Sequence, residues 1–210
     1  IDTPALTIAT ERIWNEPLPK IRVQYRNIDR VHFRAIPSSW DSFLDRRRNR
    51  PSSLTRAERI EILQQKPARE WSQPLPPTSD HQTHTADLPA PAGLKPGFYF
   101  LVGSRSPDFG ESTNQVSMAD VWVSDLALVL RPRAGQLEGF LLEARSGEPI
   151  AGATIDAWQL DRSGNRVAVP ARTTDDIGAF AFPKSAERGL LVRARHRGHA
   201  IASEFDAYIP

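Results

Sequence analysis

The sequence predicts an all-β protein with two tandem antiparallel β-sandwich domains, residues 1–124 and 125–210, the first carrying a short helical insertion at about 38–66. Two observations support this fold class. Apolar and polar residues alternate through most of the chain, which is the period of a strand with one buried face. After Leu126, about seven short strands are separated by turn sequences every 8 to 12 residues or so, a spacing typical of β-sandwiches.

Three strands are predicted in the segment that ends at Pro37. Pro17 and Pro19 separate the first two, because proline cannot donate a hydrogen bond to a strand ladder. Asn27-Ile28-Asp29 has turn composition and separates the second from the third. The residues expected to share one face of these strands are Leu6, Ile8, Ile21, Val23, Tyr25, Val31, Phe33 and Ala35.

Helical sequence is confined to the insertion at 38–66, where Ser39 is placed to cap a short first helix. Thr55 and Glu58 match a capping box, in which a threonine and a glutamate three residues later satisfy each other's backbone N–H groups. We expect the second helix to end before Pro67. The residues expected to face inward from it are Ile60, Ile62 and Leu63.

The proline-rich segment 67–97 predicts an extended, irregular connection with one edge strand. Gly97–Ser104 then predicts a strongly apolar strand, which the chain enters through a Pro-Gly turn. After a polar loop at 106–114, the segment Val116–Val123 predicts another strand.

The boundary between the two domains is predicted at Ser124-Asp125. Apolar residues continue from Val121–Val123 directly into Leu126–Leu128, so we expect a rigid tandem without a flexible linker. The strands of the second domain are expected around Leu126–Leu130, 140–142, 155–159, 166–169, 180–182, 190–194 and 200–203, with turns at 145–149, 161–165 and 175–178.

Small residues in the second domain have expected structural roles. Gly147 and Gly178 occupy positions where tight turns often need a positive φ. Gly152 and Ala153 are expected where two sheets or a neighbouring segment approach closely. These residues build architecture and carry no chemistry, which favours a structural role.

Five segments of the chain match recurring patterns of β-strands and hairpins. In the second half, Trp122–Leu130 matches a "V-x-D-L" strand start, Ser146–Ile155 a "G-x-P-[IV]-x-G-A-x-[VI]" hairpin, and Thr174–Phe180 a "T-D-x-x-G-x-F" hairpin. In the first half, Tyr25–Arg34 matches "Y-R-N-[IV]-x-x-V-x-[FL]-R" and Leu94–Phe100 matches "L-x-P-G-x-Y". Together these segments resemble the macroglobulin (MG) domains of bacterial alpha-2-macroglobulins. Transthyretin-like and carboxypeptidase-regulatory-like sandwiches share the hairpin patterns, so the order and spacing of both halves carry the resemblance.

The resemblance implies macroglobulin- or fibronectin-III-like sandwiches from a protein that traps proteases in the periplasm and is anchored to the inner membrane. It implies two kinds of partner, namely target proteases bound through the full-length protein and neighbouring MG domains of the same chain. In such proteins a bait region is cleaved, and many members carry a Cys-x-Glu-Gln thioester. This chain contains no cysteine and neither element, and its start without Met indicates a piece of a longer protein. Neither the target protease nor a thioester elsewhere in the parent follows from these residues.

Composition excludes several other classes of function. A formal net charge of +2 is too small for a dedicated nucleic-acid binder, so no nucleic-acid partner is expected. Without cysteine there is no disulfide, thiolate zinc site or cysteine nucleophile. No apolar run reaches the ~18 residues of a membrane span, so no direct membrane contact is expected. The basic run Arg46–Arg50 is interpreted as a solvated helix end and loop.

The sequence predicts no catalytic residue, cofactor site or metal site, and hence no enzyme. His81 and His84 are three positions apart, so on a strand their side chains would point to opposite faces and could not bind the same metal ion. We therefore expect them to be solvent-facing residues of a loop or an edge strand. His196 and His199 fall at a predicted hairpin turn. Asp161–Asn165 lacks the glycine and glutamate register of an EF-hand and predicts a hairpin turn. No serine has the context of a nucleophile elbow.

Two other functions stay open from the sequence. A carbohydrate-binding or adhesion module would need at least two exposed, coplanar rings among Trp14, Trp40, Trp71 and Tyr208. An accessory domain of a hydrolase would need a catalytic domain elsewhere in the gene.

Overall fold

The computed structural model describes residues 3–45, 53–78, 80–111, 116–133, 135–183 and 189–209. These residues form two compact units. The first unit contains the described residues up to Trp40 and those from 53 to Val123, whereas the second contains Asp41–Asp45 and the described residues from Ser124 onward. The predicted basic run Arg46–Arg50 lies outside the described residues.

The first unit contains two β-sheets and one helix. The elements are β1 (Ala5–Ala9), β2 (Ile13–Trp14), β3 (Lys20–Arg26), β4 (Arg30–Pro37), α2 (Arg56–Leu63), β5 (Arg69–Pro74), β6 (His84–Pro89), β7 (Gly97–Ser104) and β8 (Ser117–Val123). One sheet has three antiparallel strands in the order β1-β3-β6. The other has five in the order β2-β8-β7-β4-β5, antiparallel except for the parallel β2–β8 pair. The remaining helix, α1 (Asp41–Asp45), belongs to the second unit.

The two sheets of the first unit enclose an apolar core. All eight residues predicted for the shared faces of the first three long strands are buried in it, which confirms the alternation argument. The five-stranded sheet also contributes Trp14 of β2, Tyr99 and Leu101 of β7 and Val121 of β8 to this core. The first unit is therefore a β-sandwich.

The outer face of the five-stranded sheet is buried as well. Phe98 and Phe100 alternate with the core residues of β7, and their ring centroids lie 5.3 Å apart. Trp122 contacts Phe98 at 5.0 Å and Trp40 at 6.0 Å between centroids. Because β7 is buried on both faces, its sequence reads as a continuous apolar run rather than as an alternating one.

The second unit is a sandwich of two antiparallel sheets. Its strands are β9 (Leu126–Arg133), β10 (Gln136–Glu143), β11 (Thr154–Leu160), β12 (Arg166–Thr173), β13 (Ala179–Pro183), β14 (Leu190–His196) and β15 (His199–Ala202). The two sheets have the orders β13-β10-β9 and β12-β11-β14-β15. Inward residues from both sheets are buried, among them Leu137, Leu141, Ile155, Phe180, Phe182, Val192 and Ile201.

The turns follow the predicted chemistry. Gly147 and Gly178 have φ values of +74° and +72°. The β14–β15 hairpin turns on two residues, Arg197 and Gly198, which both have positive φ as a type I′ turn requires. Gly152 differs from its prediction, since a Cβ there would meet no atom within 4 Å. Its φ of +71°, rather than a close approach, explains the glycine.

Two predictions in the first half need correction. The segment 67–97 holds two strands before β7, not one, and each lies at the edge of its sheet with a proline at its last position. The capping box of α2 is confirmed, but Ile60 does not face inward. Ile60 is 43% exposed, and Ile62 is the residue of α2 that is buried. The 3.6-residue period orients these two side chains differently, and the sequence contains no local signal for which one meets the sheet.

Candidate functional site

His81 and His84, which the sequence offered as candidate metal ligands, lie just before β6 and at its start. His84 at the start of β6 contacts Asp80, with 2.8 Å between its Nε2 and the carboxylate Oδ1. This hydrogen bond, with a second from the Gln82 N–H, holds the pKa of Asp80 below its usual value. His81 precedes β6 with a φ of +56°. In the described part of the chain, no three His, Asp or Glu side chains gather as a metal site would require.

The other predicted loops are hairpin turns of the second unit. His199 Nδ1 accepts a hydrogen bond of 3.1 Å from the Asp125 N–H, so that ring nitrogen holds a backbone group in place. Asp161 Oδ1 accepts from the Asn165 N–H at 2.8 Å, and the Gly164 N–H donates to the Asp161 carbonyl at 3.0 Å. The pairing of His196 with His199 confirms the predicted turn between β14 and β15, and the Asp161 contacts confirm the one between β11 and β12.

A sugar platform would need at least two of four aromatic rings to be exposed together, and the structure does not place them so. Trp14 and Trp40 are buried, and Trp71 is half-buried and stacked on Phe33 with 5.0 Å between ring centroids. Tyr208, at 61% exposure, is the exposed ring of the four. A platform of two coplanar exposed rings is therefore not formed by these residues.

A cleft of about 730 Å³ in the first unit lies between the β3–β4 turn, residues 77–78 and the loop after β7. Its charged groups are Asp29, Arg30 and Arg105. The Asn27 N–H donates to Thr78 Oγ1 at 3.1 Å and joins two of its walls. Ser106 of its lining hydrogen-bonds the Asp108 carboxylate, but the described lining residues include no histidine, lysine or cysteine, so they do not assemble an activated nucleophile.

The most organised charged site is on the outer face of the four-stranded sheet of the second unit. We call it the Arg193 cluster; it consists of Asp41, Asp156, Trp158, Arg193 and Arg195. The antiparallel register of β11 and β14 places Asp156 opposite Arg193, so both side chains project from the same face of the sheet. Asp41 is the first residue of α1 and pairs with Arg193. The cluster therefore ties α1 to this sheet.

The contacts within the Arg193 cluster satisfy its charges internally. Arg193 and Arg195 each donate to Asp156 Oδ2 at 2.8 Å, and Arg195 donates a second hydrogen bond of 3.2 Å to Oδ1. The guanidinium of Arg193 also lies 5.2 Å from the ring centroid of Trp158, a cation–π distance. Two arginines and two aspartates leave no net charge for an ionic ligand. The arrangement can fix α1 in place, but it offers no reacting group.

Burial and hydrogen bonding shift the pKa of Asp156 in opposite directions. Burial raises the pKa of the carboxyl, whereas the hydrogen bonds donated by Arg195 and Arg193 lower it, and the outcome is a pKa below the usual value. The same contact with Asp156 raises the pKa of Arg195. The sequence analysis missed this cluster. Its local signals are the alternating Asp156-x-Trp158 and Arg193-x-Arg195, but only the strand register shows that they meet.

Replacing Asp156 by asparagine is expected to cost about 2 kcal/mol of unfolding free energy at pH 7, because the hydrogen bonds donated by the two arginines, Arg193 and Arg195, lose their ionised acceptor. The folded-state pKa is lowered, so this stabilisation is complete above the unfolded-state pKa of about 3.9 and is lost as the pH falls through the folded-state value. Urea unfolding of both proteins between pH 3 and pH 7 should therefore show two curves that converge at low pH.

The matched control is Asp87→Asn. Asp87 also pairs with an arginine across two strands, at 3.0 Å from Arg22, but both side chains are exposed. No measurable change in melting temperature is expected there, since solvent screens exposed pairs. Equal losses for Asp156→Asn and Asp87→Asn would contradict a specific role for the Arg193 cluster.

These features define a pair of all-β sandwiches whose charged clusters and aromatic rings hold the structure together. No helix in the described part of the chain is long and apolar enough to cross a membrane. No family model and no curated protein matches the sequence.

Solved structures do match the fold. The crystal structure of native alpha-2-macroglobulin from Escherichia coli spanning domains NIE-MG1 aligns with 95% of this chain and 96% of that chain, with a TM-score of 0.65 and 19% identity. The crystal structure of the same protein spanning domains MG0-NIE-MG1 aligns with 95% of this chain and 63% of that chain, with a TM-score of 0.68 and 16% identity. At this identity the similarity shows the fold. It confirms the predicted all-β class and, in fold, the resemblance to alpha-2-macroglobulin domains.

Proposed function

We propose that this chain is a structural two-domain part of an alpha-2-macroglobulin-like protein that inhibits proteases by trapping them. The observation that carries the proposal is the fold match to a solved two-domain piece of alpha-2-macroglobulin, which spans nearly all of both chains. The separate sequence motifs in each half, taken in their order, support the same conclusion.

The contribution of these residues is mechanical. In each unit the cores, turns and ion pairs described above hold a sandwich rigid, and the described residues include no candidate active site. Such domains form part of the frame that rearranges when a protease attacks, while the bait region and any thioester belong to other parts of the protein. We place the full-length protein in the periplasm, anchored to the inner membrane, with target proteases and neighbouring MG domains as its partners.

The test uses the complete protein that the gene encodes, incubated with elastase or trypsin at increasing molar ratio. A trapped protease keeps its active site, so cleavage of a small chromogenic peptide should continue while hydrolysis of casein falls. An inhibitor that blocks the active site would stop both reactions. Unchanged casein hydrolysis at a molar excess of the complete protein would contradict the proposal.

Two controls test whether inhibition of casein hydrolysis needs both this chain and the rest of the protein. The 210-residue chain alone should inhibit neither reaction, because it lacks the elements that are cut and that close. The complete protein without residues 1–210 should lose its effect on casein hydrolysis. Inhibition by the isolated chain would show that it is an inhibitor domain in its own right rather than part of a frame.

A further inference from the structure

The contact between His199 and Asp125 depends on the charge of the imidazole ring. His199 Nδ1 accepts a hydrogen bond of 3.1 Å from the Asp125 N–H. A ring nitrogen accepts only when it carries no proton, so the neutral ring carries its proton on Nε2. Nε2 lies 3.7 Å from Asp125 Oδ2. The same residue therefore presents a backbone donor to one ring nitrogen and a carboxylate to the other.

Protonation of the ring reverses the first of these contacts. Both nitrogens of an imidazolium are donors, so the Nδ1–H and the Asp125 N–H would then be two donors facing each other at 3.1 Å. The second contact becomes stronger, because Nε2–H then donates from a charged ring to a carboxylate. The Asp125 side chain is 57% exposed, so it has room to follow the ring. We expect the charged ring to leave the amide and pair with the carboxylate.

The charged groups of β14 and of its turn favour the same movement. His196 lies directly opposite His199 across the hairpin, and the two side chains project from one face of the sheet. When His196 is protonated as well, it repels an imidazolium at 199. Arg197 in the turn adds a further positive charge, whereas Arg195 lies on the opposite face and belongs to the Arg193 cluster.

The other elements near His199 offer it no competing carboxylate among the residues that the structure describes. β9 packs beside β15 and is apolar from Leu126 to Leu130. Glu143 at the end of β10 accepts a hydrogen bond of 2.6 Å from the Ser146 N–H, which directs it to its own turn. Glu204 lies beyond the opposite end of β15. Asp125 is thus the carboxylate within reach of a protonated His199.

We propose that His199 and Asp125 form a pH-sensitive switch at the start of the second unit. At neutral pH the uncharged ring holds the Asp125 amide against the β14–β15 hairpin, and in mild acid the charged ring pairs with the carboxylate and releases the amide. The Asp125 carbonyl accepts the Ala144 N–H at 2.8 Å, a contact without a titrating group. The change is therefore local, and the sandwich stays folded in both states.

Hydrogen exchange followed by NMR tests this switch in the 210-residue chain between pH 5.5 and pH 7.5. An ordinary imidazole changes charge in this range, whereas an ordinary carboxyl group stays ionised. The protection factor of the Asp125 amide, corrected for the intrinsic exchange rate at each pH, is expected to fall about tenfold from pH 7.5 to pH 5.5. The Leu141 amide, which donates to the Gly178 carbonyl, should keep its protection and so exclude unfolding of the whole unit.

His199→Asn is the matched control, because its Oδ1 replaces Nδ1 as the acceptor but does not titrate in this range. The protection factor of the Asp125 amide should not change with pH in this variant, whereas His196→Asn should keep most of the fall. Constant protection in the native chain would overturn the proposal, as would an equal fall in His199→Asn. Loss of the fall in His196→Asn would also overturn it, because the switch would then be His196.

The ring nitrogens of His199 provide a test that needs no variant. Their ¹⁵N chemical shifts in the native chain should show the tautomer protonated on Nε2 at pH 7.5 and the doubly protonated ring at pH 5.5. A tautomer protonated on Nδ1 at pH 7.5 would overturn the proposal, since that nitrogen could not accept the Asp125 amide. Neither measurement involves a protease, so the result is separate from the trapping experiment.

Discussion

Gly178→Ala is expected to lower the free energy of unfolding of the second unit by about 3 kcal/mol. About 1 kcal/mol comes from placing a side chain at the left-handed φ of +72°. A Cβ at this position would also lie 2.5 Å from the carbonyl oxygen of Leu141 and 3.2 Å from the backbone nitrogen of Ile150. Both are backbone atoms, Leu141 within β10 and Ile150 in the segment that follows it, so they cannot rotate away as a side chain would.

The atoms that the added Cβ would contact take part in two backbone hydrogen bonds. The Leu141 N–H donates to the Gly178 carbonyl at 2.9 Å, and the Ile150 N–H donates to the Leu141 carbonyl at 2.9 Å. Lengthening both to relieve the contact accounts for the remaining cost, at about 1 kcal/mol for each bond. A decrease in melting temperature of about 12 °C or more follows for a unit of this size and is measurable by circular dichroism.

Gly147→Ala is the matched control for this prediction. Gly147 has nearly the same φ, +74°, but an added Cβ would meet no atom within 4 Å. Its cost should therefore be limited to the backbone strain of about 1 kcal/mol. If the two substitutions lower the melting temperature equally, close packing against Leu141 and Ile150 is not what requires glycine at 178.

Phe33→Ala is expected to destabilise the first unit by about 4 kcal/mol, within the usual range for removing a buried phenylalanine. Phe33 is fully buried in β4, between the two sheets. Its ring stacks on Trp71 of the neighbouring β5 at 5.0 Å, so the substitution leaves a cavity and removes an aromatic pair. Urea unfolding followed by tryptophan fluorescence measures the loss.

Phe33→Leu separates the effect of losing apolar volume from the effect of losing the aromatic ring at the same position. Leucine keeps most of the apolar volume, so a cost of about 1 kcal/mol is expected. A loss for Phe33→Ala as small as this would mean that the unit collapses around the site, and that the core between the sheets is less tightly packed than the contacts indicate. A near-equal loss for both variants would assign the cost to the aromatic pair rather than to the cavity.

Much of the local structure was predictable from the amino-acid sequence. The alternation of Leu6, Ile8 and the six residues that follow the same rule correctly predicted which side of each strand is buried. Thr55 and Glu58 predicted the start of α2, and Gly147 and Gly178 predicted turns with positive φ. These features depend on residues within a few positions of each other, because sterics and hydrogen bonding along the chain act locally.

Only the tertiary structure shows which segments that are distant in sequence contact each other. It pairs the two-residue strand β2 with β8 in parallel, places β5 at the other edge of that sheet, and brings Arg193 to Asp41 and Asp156. It also buries Ile62 rather than Ile60 on the same helix. The physical reason is that strand register and the choice of buried helix face depend on how much apolar surface the whole unit removes from water. Many local sequences are compatible with more than one such arrangement, and only packing between distant segments selects among them.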